Sequence, residues 1–332
     1  MATTATPTPV VDFRGVLSES NKILKAHSRH FLALSVLFLL PISFLLVSFH
    51  TLHLSFIAAA NLDGYSIPTQ TLLRSPPQLH LHLHLQLQPL LLPLLFALLL
   101  LSLSLCAAAT ITYSVYHGFF GRPVKLLSAI KSLTTTLPRL LLTFLCAKLL
   151  LFAFALVVAA IAFLLLKLVD FTGLRLPYSV VWAAGVAALG FMLVVALVNW
   201  GLACSVVVAE SSWGLEPLRR SGYLVKGLRR LAFWLVLYFG SALVFILLAS
   251  RGFSLSSGVV GALMSVLSTV VPSAALMLLL LHSLAATTVL YMYCKAMHGE
   301  LAMEIAEEFA REYLSLPFDD EKTPLVVSVI QH

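Results

Sequence analysis

The sequence predicts an all-α polytopic membrane protein: six transmembrane helices, with a cytoplasmic amphipathic helix lying at the interface before spans 1, 3 and 5. Three observations predict it. Of 332 residues, 60% are hydrophobic and only 11% charged, against about 45–50% apolar and ~25% charged in soluble domains. Six apolar runs, at residues 31–60, 89–117, 140–168, 178–209, 231–250 and 259–292, each reach the ~20 helical residues that cross a hydrocarbon core of about 30 Å. Lys and Arg gather in alternate connections between those runs. The runs must be helical, because in hydrocarbon every backbone N–H and C=O needs a partner within its own segment unless strands close into a barrel. Barrel strands are short and alternating, whereas these runs are solidly apolar.

Taken in order, residues 1–11 are a Thr-, Pro- and Ala-rich tail expected to be disordered. Residues 12–295 form the membrane domain, and 296–332 an acidic tail. The first apolar run follows some 30 polar residues and is too long for a signal peptide, so it is expected to be an uncleaved anchor. Orientation follows from the cations. Arg14, Lys22, Lys25 and Arg29 precede span 1; Arg122, Lys125, Lys131 and Arg139 lie between spans 2 and 3; Arg219, Arg220, Lys226, Arg229 and Arg230 lie between spans 4 and 5. The opposite loops hold only Arg74, Arg175 and Arg251. Both termini are therefore expected in the cytoplasm, with the chain in the endoplasmic reticulum or another secretory-pathway membrane, the plasma membrane included.

Before span 2 runs QLHLHLHLQLQ, residues 78–88. His80, His82 and His84 would share one face of a strand, and His80 and His84 one face of a helix at a spacing that suits a metal. The alternation continues into Gln86 and Gln88, however, so a low-complexity outer loop without metal is expected. The cysteines, Cys106, Cys146, Cys204 and Cys294, lie in or at the ends of spans and imply no disulfide framework. Cys204 and Cys294 stand near the cytoplasmic boundary, where reversible acylation would be open to them.

The three basic connections share a plan. Residues 13–32, 123–142 and 214–233 align without gaps, bringing Leu17, Leu127 and Leu218 together, then Ile23, Leu133 and Leu224, then Arg29, Arg139 and Arg230. On a helical wheel the third copy separates Leu218, Ser221, Leu224, Val225 and Leu228 from Arg219, Arg220, Lys226, Arg229 and Arg230. In the first, the apolar arc is Leu17, Ser20, Ile23, Leu24 and His27; in the second it is Leu127, Ile130, Leu133 and Leu137. Each copy is expected to sink this arc into the acyl boundary and feed one span out and one span back.

Two stretches, TYSVYHGFFGRPVKLLSAIKSLTTTLPRLLLTF and VVVAESSWGLEPLRRSGYLVKGLRRLAF, resemble a plant family of uncharacterised six-span membrane proteins. That family is similar to bacterial integral membrane proteins of the type fused to glycerophosphodiester phosphodiesterases. The shared pattern includes Gly121, Arg122, Pro123, Glu210, Gly214, the run Leu218 to Ser221, Lys226 and Gly227. The resemblance implies a fold and no activity, since the catalytic phosphodiesterase barrel has no counterpart here.

The residues offer few candidates for chemistry. Gly121-Arg122-Pro123 should end span 2 and turn into the next helix, and Glu210 could pair with Arg219 or Arg220 or sit free in water. A phosphate headgroup could meet Arg219, Arg220, Ser221, Lys226, Arg229 and Arg230, and each cation near an anionic leaflet contributes about 1 kcal/mol. Within the spans Lys148, Asn199 and His282 fall at similar counted depths and could line a polar site, although Lys can snorkel and Asn or His can tie helices together. The tail carries eight acidic residues against Arg311 and Lys322, so it should dock under the basic loops or receive a cytosolic protein partner. No HExxH, no GxSxG and no paired intramembrane aspartates occur, so no catalysis, cofactor, metal or nucleic-acid partner is expected. A non-enzymatic organiser of membrane lipids, anionic ones included, or of protein partners is the expected function. A transporter or channel for a small solute near Lys148 is the alternative.

Overall fold

The helices built from the second and third runs extend well beyond the runs themselves. The structure is a computed structural model that describes residues 12–49, 78–122, 125–172, 178–250 and 259–314. α1 (Phe13–Ala26) precedes α2 (Ser28–Leu34), which passes through a π-helical stretch, Ser35–Leu39, and completes the first span at Phe49. Next come α3 (Gln78–Phe119), α4 (Leu126–Thr172) and α5 (Tyr178–Trp200). The chain breaks at Gly201 and Leu202, resumes as α6 (Ala203–Glu210), and continues into α7 (Glu216–Leu224) and a 3₁₀ turn, Val225–Gly227. α8 (Arg229–Ala249), α9 (Val259–Met297) and α10 (Glu300–Leu314) complete the order. Among the described residues there is no strand, and six helices are long and apolar enough to cross a membrane.

Two expectations change at once. The stretch 78–88 is not a loop but the start of α3; the side chains of His80, His82 and His84 lie outside those described. The second amphipathic segment is not a separate helix either. α4 runs unbroken for 47 residues, about 70 Å at 1.5 Å per residue, with Pro138 inside it. No glycine interrupts Leu126 to Leu137, and a continuous ladder leaves fewer backbone groups orphaned than a broken one.

The first and third units do break, and at the same place. His27 (φ −119°, ψ 38°) ends α1, and Leu228 (φ −124°, ψ 23°) separates the 3₁₀ turn from α8. These two residues occupy one position of the threefold alignment. The helix that follows starts alike in both, with Phe31 N–H donating to the His27 carbonyl at 3.1 Å and Ala232 N–H to that of Leu228 at 3.0 Å. Burial repeats too: Val16, Ser20, Ile23, Leu24, Phe31 and Leu34 are buried, and so are their counterparts Pro217, Ser221, Leu224, Val225, Ala232 and Leu235. α1 packs on α9, the last span; α7 packs on α5 and α6, the span before it. The apolar arcs of these two helices therefore face protein rather than an acyl boundary.

Most of the core lies where these units converge. Val16, Phe31, Leu34, Ile111, Val115, Val206, Leu224, Ala285 and Tyr291 belong to one cluster. Outside it, spans 3 and 4 leave long apolar faces open: only 6% of the apolar window of each is buried, against 39% in the first span and 50% in the last.

Candidate functional site

The C-terminal end of the last span gathers charge that the sequence scatters over three segments. Glu210 closes α6, and the next residue, Ser211, caps it in the left-handed region at φ 56°. Glu210 Oε2 accepts from Arg220 Nε at 3.2 Å, and its Oε1 accepts from the hydroxyl of Tyr291 at 3.0 Å. The Tyr291 side chain is fully buried. Arg220 also donates through Nη2 to Glu300, the first residue of α10. One helical turn on, Glu304 accepts from Lys295 Nζ at 2.7 Å and from the hydroxyl of Tyr116. Lys295 itself is only 8% exposed and stands 5.7 Å from the Tyr291 ring centre.

Arg220 thus bridges two carboxylates from different parts of the chain. Burial alone lowers a guanidinium pKa, but the hydrogen bonds and charges of Glu300 and Glu210 outweigh it and raise Arg220 above its ordinary value. A group raised in this way contributes stability that is complete below its unfolded pKa and lost only as pH climbs through the folded one. The ion pairs are therefore indifferent to pH across the physiological range as far as the arginine is concerned.

A turn at Gly299 makes the arrangement possible. Its φ of 74° lies where a side chain is strained, and its N–H donates to the Ala296 carbonyl at 3.0 Å. The turn brings Glu300 and Glu304 back onto the bundle. Gly121 (φ 70°) does the same for α3: its N–H reaches the Gly118 carbonyl at 3.0 Å, and the Arg122 N–H reaches that of His117 at 3.1 Å. This paired closure is a Schellman motif. The first part of the Gly121-Arg122-Pro123 motif is accordingly a helix stop; Pro123 lies outside the described residues.

The predicted headgroup residues divide. Arg220 is held by Glu210 and Glu300, and Ser221 donates at 2.6 Å to the Asn199 carbonyl, an acceptor released by the break after α5. Lys226 lies 5.6 Å from the Tyr223 ring centre. Arg219, Arg229 and Arg230 are exposed. Gly227 ends the 3₁₀ turn before the Leu228 break.

Lys148, Asn199 and His282 do not converge. Lys148 is exposed on α4, 5.1 Å from the Phe144 ring centre. Asn199 donates to the Val195 carbonyl at 2.7 Å and sits level with α7 through Ser221. His282 lines a hollow with Lys25, Ser28 and Arg29, at the start of the first span. The count from Glu210 back to Asn199 crosses the break at Gly201 and Leu202, so it does not run along one continuous helix.

A second feature was not foreseen. A cavity of about 640 Å³ opens among spans 1, 2, 3, 4 and 6, with Leu218 of α7 also in its wall. Ala97, Ala107, Ala108, Ala147 and Ala203 face it, and these small side chains leave the space unfilled. Among the described residues no Asp, Glu, Lys, Arg or His lines it. The hydroxyls of Ser104 and Thr143 turn back onto the carbonyls of Leu101 (2.8 Å) and Arg139 (2.9 Å). Among the described residues no cluster of His, Cys, Asp or Glu could hold a metal.

Residues 4–320 match a family model described as a domain of unknown function, DUF8558, and the chain belongs to that family. No curated protein and no solved structure matches the chain.

Proposed function

We propose that this is a non-enzymatic multi-pass protein of a secretory-pathway membrane, both termini in the cytoplasm, that organises lipids by holding hydrocarbon within its bundle. The cavity carries this reading. Its wall is mostly apolar, the hydroxyls of Ser104 and Thr143 are satisfied by their own helices, and none of its described lining residues is charged, so transfer of a solute into it would cost about 1–3 kcal/mol for each unmet polar group. An acyl chain loses nothing there. Lys148, which anchors the solute-path alternative, is exposed over the ring of Phe144 and does not line the cavity. The exposed Arg219, Arg229 and Arg230 add attraction for an anionic leaflet at about 1 kcal/mol each. With Glu300 and Glu304 held by the bundle, a cytosolic partner would meet the tail beyond Glu304.

Native mass spectrometry of the detergent-purified protein tests the reading. Lipid should stay bound to the wild type, and filling the cavity by Ala147→Trp or Ala203→Trp should release it. Retention of the same lipid by both folded variants would remove the cavity from the account.

A further inference from the structure

A second hollow, about 320 Å³, lies between α1–α2 and the last span. Its floor is apolar, made by Phe31, Leu32, Met277 and Leu281, and its rim carries Lys25, Arg29 and His282. Among the described residues no acidic side chain lines it. Lys25 and Arg29 are exposed, and neither has an ion-pair partner among the described residues, Glu19 being taken by Lys22 at 3.0 Å. The His282 Nδ1 is bonded to the Leu278 carbonyl at 2.8 Å, which leaves Nε2 for another partner.

The repeat shows that this combination is particular to the first unit. Lys25 and Arg29 correspond to Lys226 and Arg230 in the third, but there Lys226 rests by Tyr223 and Asp12 lines the hollow that holds Arg230. In the middle unit Thr135 stands where the lysine would be. Only the first unit joins two uncommitted cations to an open apolar floor.

We propose that this groove binds an acidic glycerophospholipid, its phosphate between Lys25 and Arg29 and one acyl chain along Leu32, Met277 and Leu281. The floor selects a lipid over a free anion, because inorganic phosphate would gain the charges and nothing from the hydrocarbon. The cations select an acidic lipid over a zwitterionic one. The groove shares no residue with the larger cavity, so either site can fail while the other stands.

The test uses the full chain in nanodiscs of equimolar dioleoylphosphatidylserine and dioleoylphosphatidylcholine, with retained lipid counted by native mass spectrometry after detergent extraction. The wild type should retain phosphatidylserine preferentially. Lys25→Gln with Arg29→Gln should lower that preference roughly 10- to 30-fold, taking a factor of about five for each cation near an anionic surface. Lys148→Gln, which removes a cation that lines neither hollow, should change it less than about twofold. Leu278→Trp, which fills the groove without altering charge, should also lose the retained lipid. An unchanged preference in the Lys25 and Arg29 double variant would overturn the proposal. So would an equal loss from Lys148→Gln, or displacement of the lipid by millimolar inorganic phosphate.

Discussion

Ser20 in the first unit and Ser221 in the third are sealed from solvent, whereas Ile130, at the same place in the middle unit, is 37% exposed. The contrast runs against a simple hydrophobic rule, since the polar residues are inside and the apolar one outside. Small hydroxyl side chains let a helix approach its neighbour closely and can close on a carbonyl, as Ser20 does with Leu17 at 2.9 Å and Ser221 with Asn199. Ile130 lies on an outward face, and toward lipid an exposed apolar side chain carries no penalty. The middle unit packs instead through Leu133, Leu137 and the buried Leu140, which meet Leu105, Ala109 and Val207 apart from the main core. Beside that contact Leu140, Thr143 and Ala147 of α4 form one wall of the cavity. The difference between the units teaches that the sequence repeat preserves a helix plan while packing assigns each copy its task.

Truncation at aligned positions breaks the comparison most sharply. Leu224→Ala should cost about 2–4 kcal/mol, because Leu224 is fully buried and large-to-small changes in a packed core leave a cavity. Its middle-unit counterpart, Leu133→Ala, should cost under about 1 kcal/mol. Thermal unfolding in detergent, followed by circular dichroism, separates the two, and equal losses would mean that the units pack alike. Next in size is Arg220→Gln, which leaves Glu210 and Glu300 without their shared cation. Their partial burial sets the loss at about 2 kcal/mol, below the 3–5 kcal/mol of a fully buried pair. The freed tail should be cut sooner by protease beyond Gly299, and an unaltered digestion rate would show that the tail is held by other contacts.

Smaller still is Gly299→Ala, which imposes a left-handed conformation on a residue with a Cβ at a cost of about 1–2 kcal/mol. It too should hasten cleavage of the tail, though less than Arg220→Gln. Smallest is Lys148→Leu, expected within about 0.5 kcal/mol of wild type and without effect on retained lipid. A loss of bound lipid or of any transport activity in that variant would restore the solute path.

How much of this was legible in the sequence depended on range. The six spans were legible because hydrophobic runs in lipid have one regular solution, and the Gly121 stop because a glycine after a helix favours one closure. The unit repeat was visible through Arg29, Arg139 and Arg230, yet nothing in its middle copy announced a continuous helix, since the wheel shows the same stripe whether or not the helix breaks. The partnership of Glu210 with Arg220 was foreseen as one of two choices ten residues away. Its extension to Tyr291, Lys295 and Tyr116 was not, because those residues come from distant segments. The signals were present as four-residue spacings, Tyr291 to Lys295 on one helix and Glu300 to Glu304 on another. The cavity left no local mark, as alanines in a span are unremarkable until five of them face one space.

The most direct measurement is photocrosslinking from the cavity wall. p-Benzoylphenylalanine placed at Ala147 should form a phospholipid adduct that persists after exhaustive detergent exchange, because the chain it touches is gripped by Leu39, Leu101, Leu140 and Leu284 of four different spans. The same probe at Leu149, 67% exposed on the outer face of α4, should lose its lipid adduct in that exchange. Loss of both adducts together, or an Ala147 probe that captures only protein, would contradict the account.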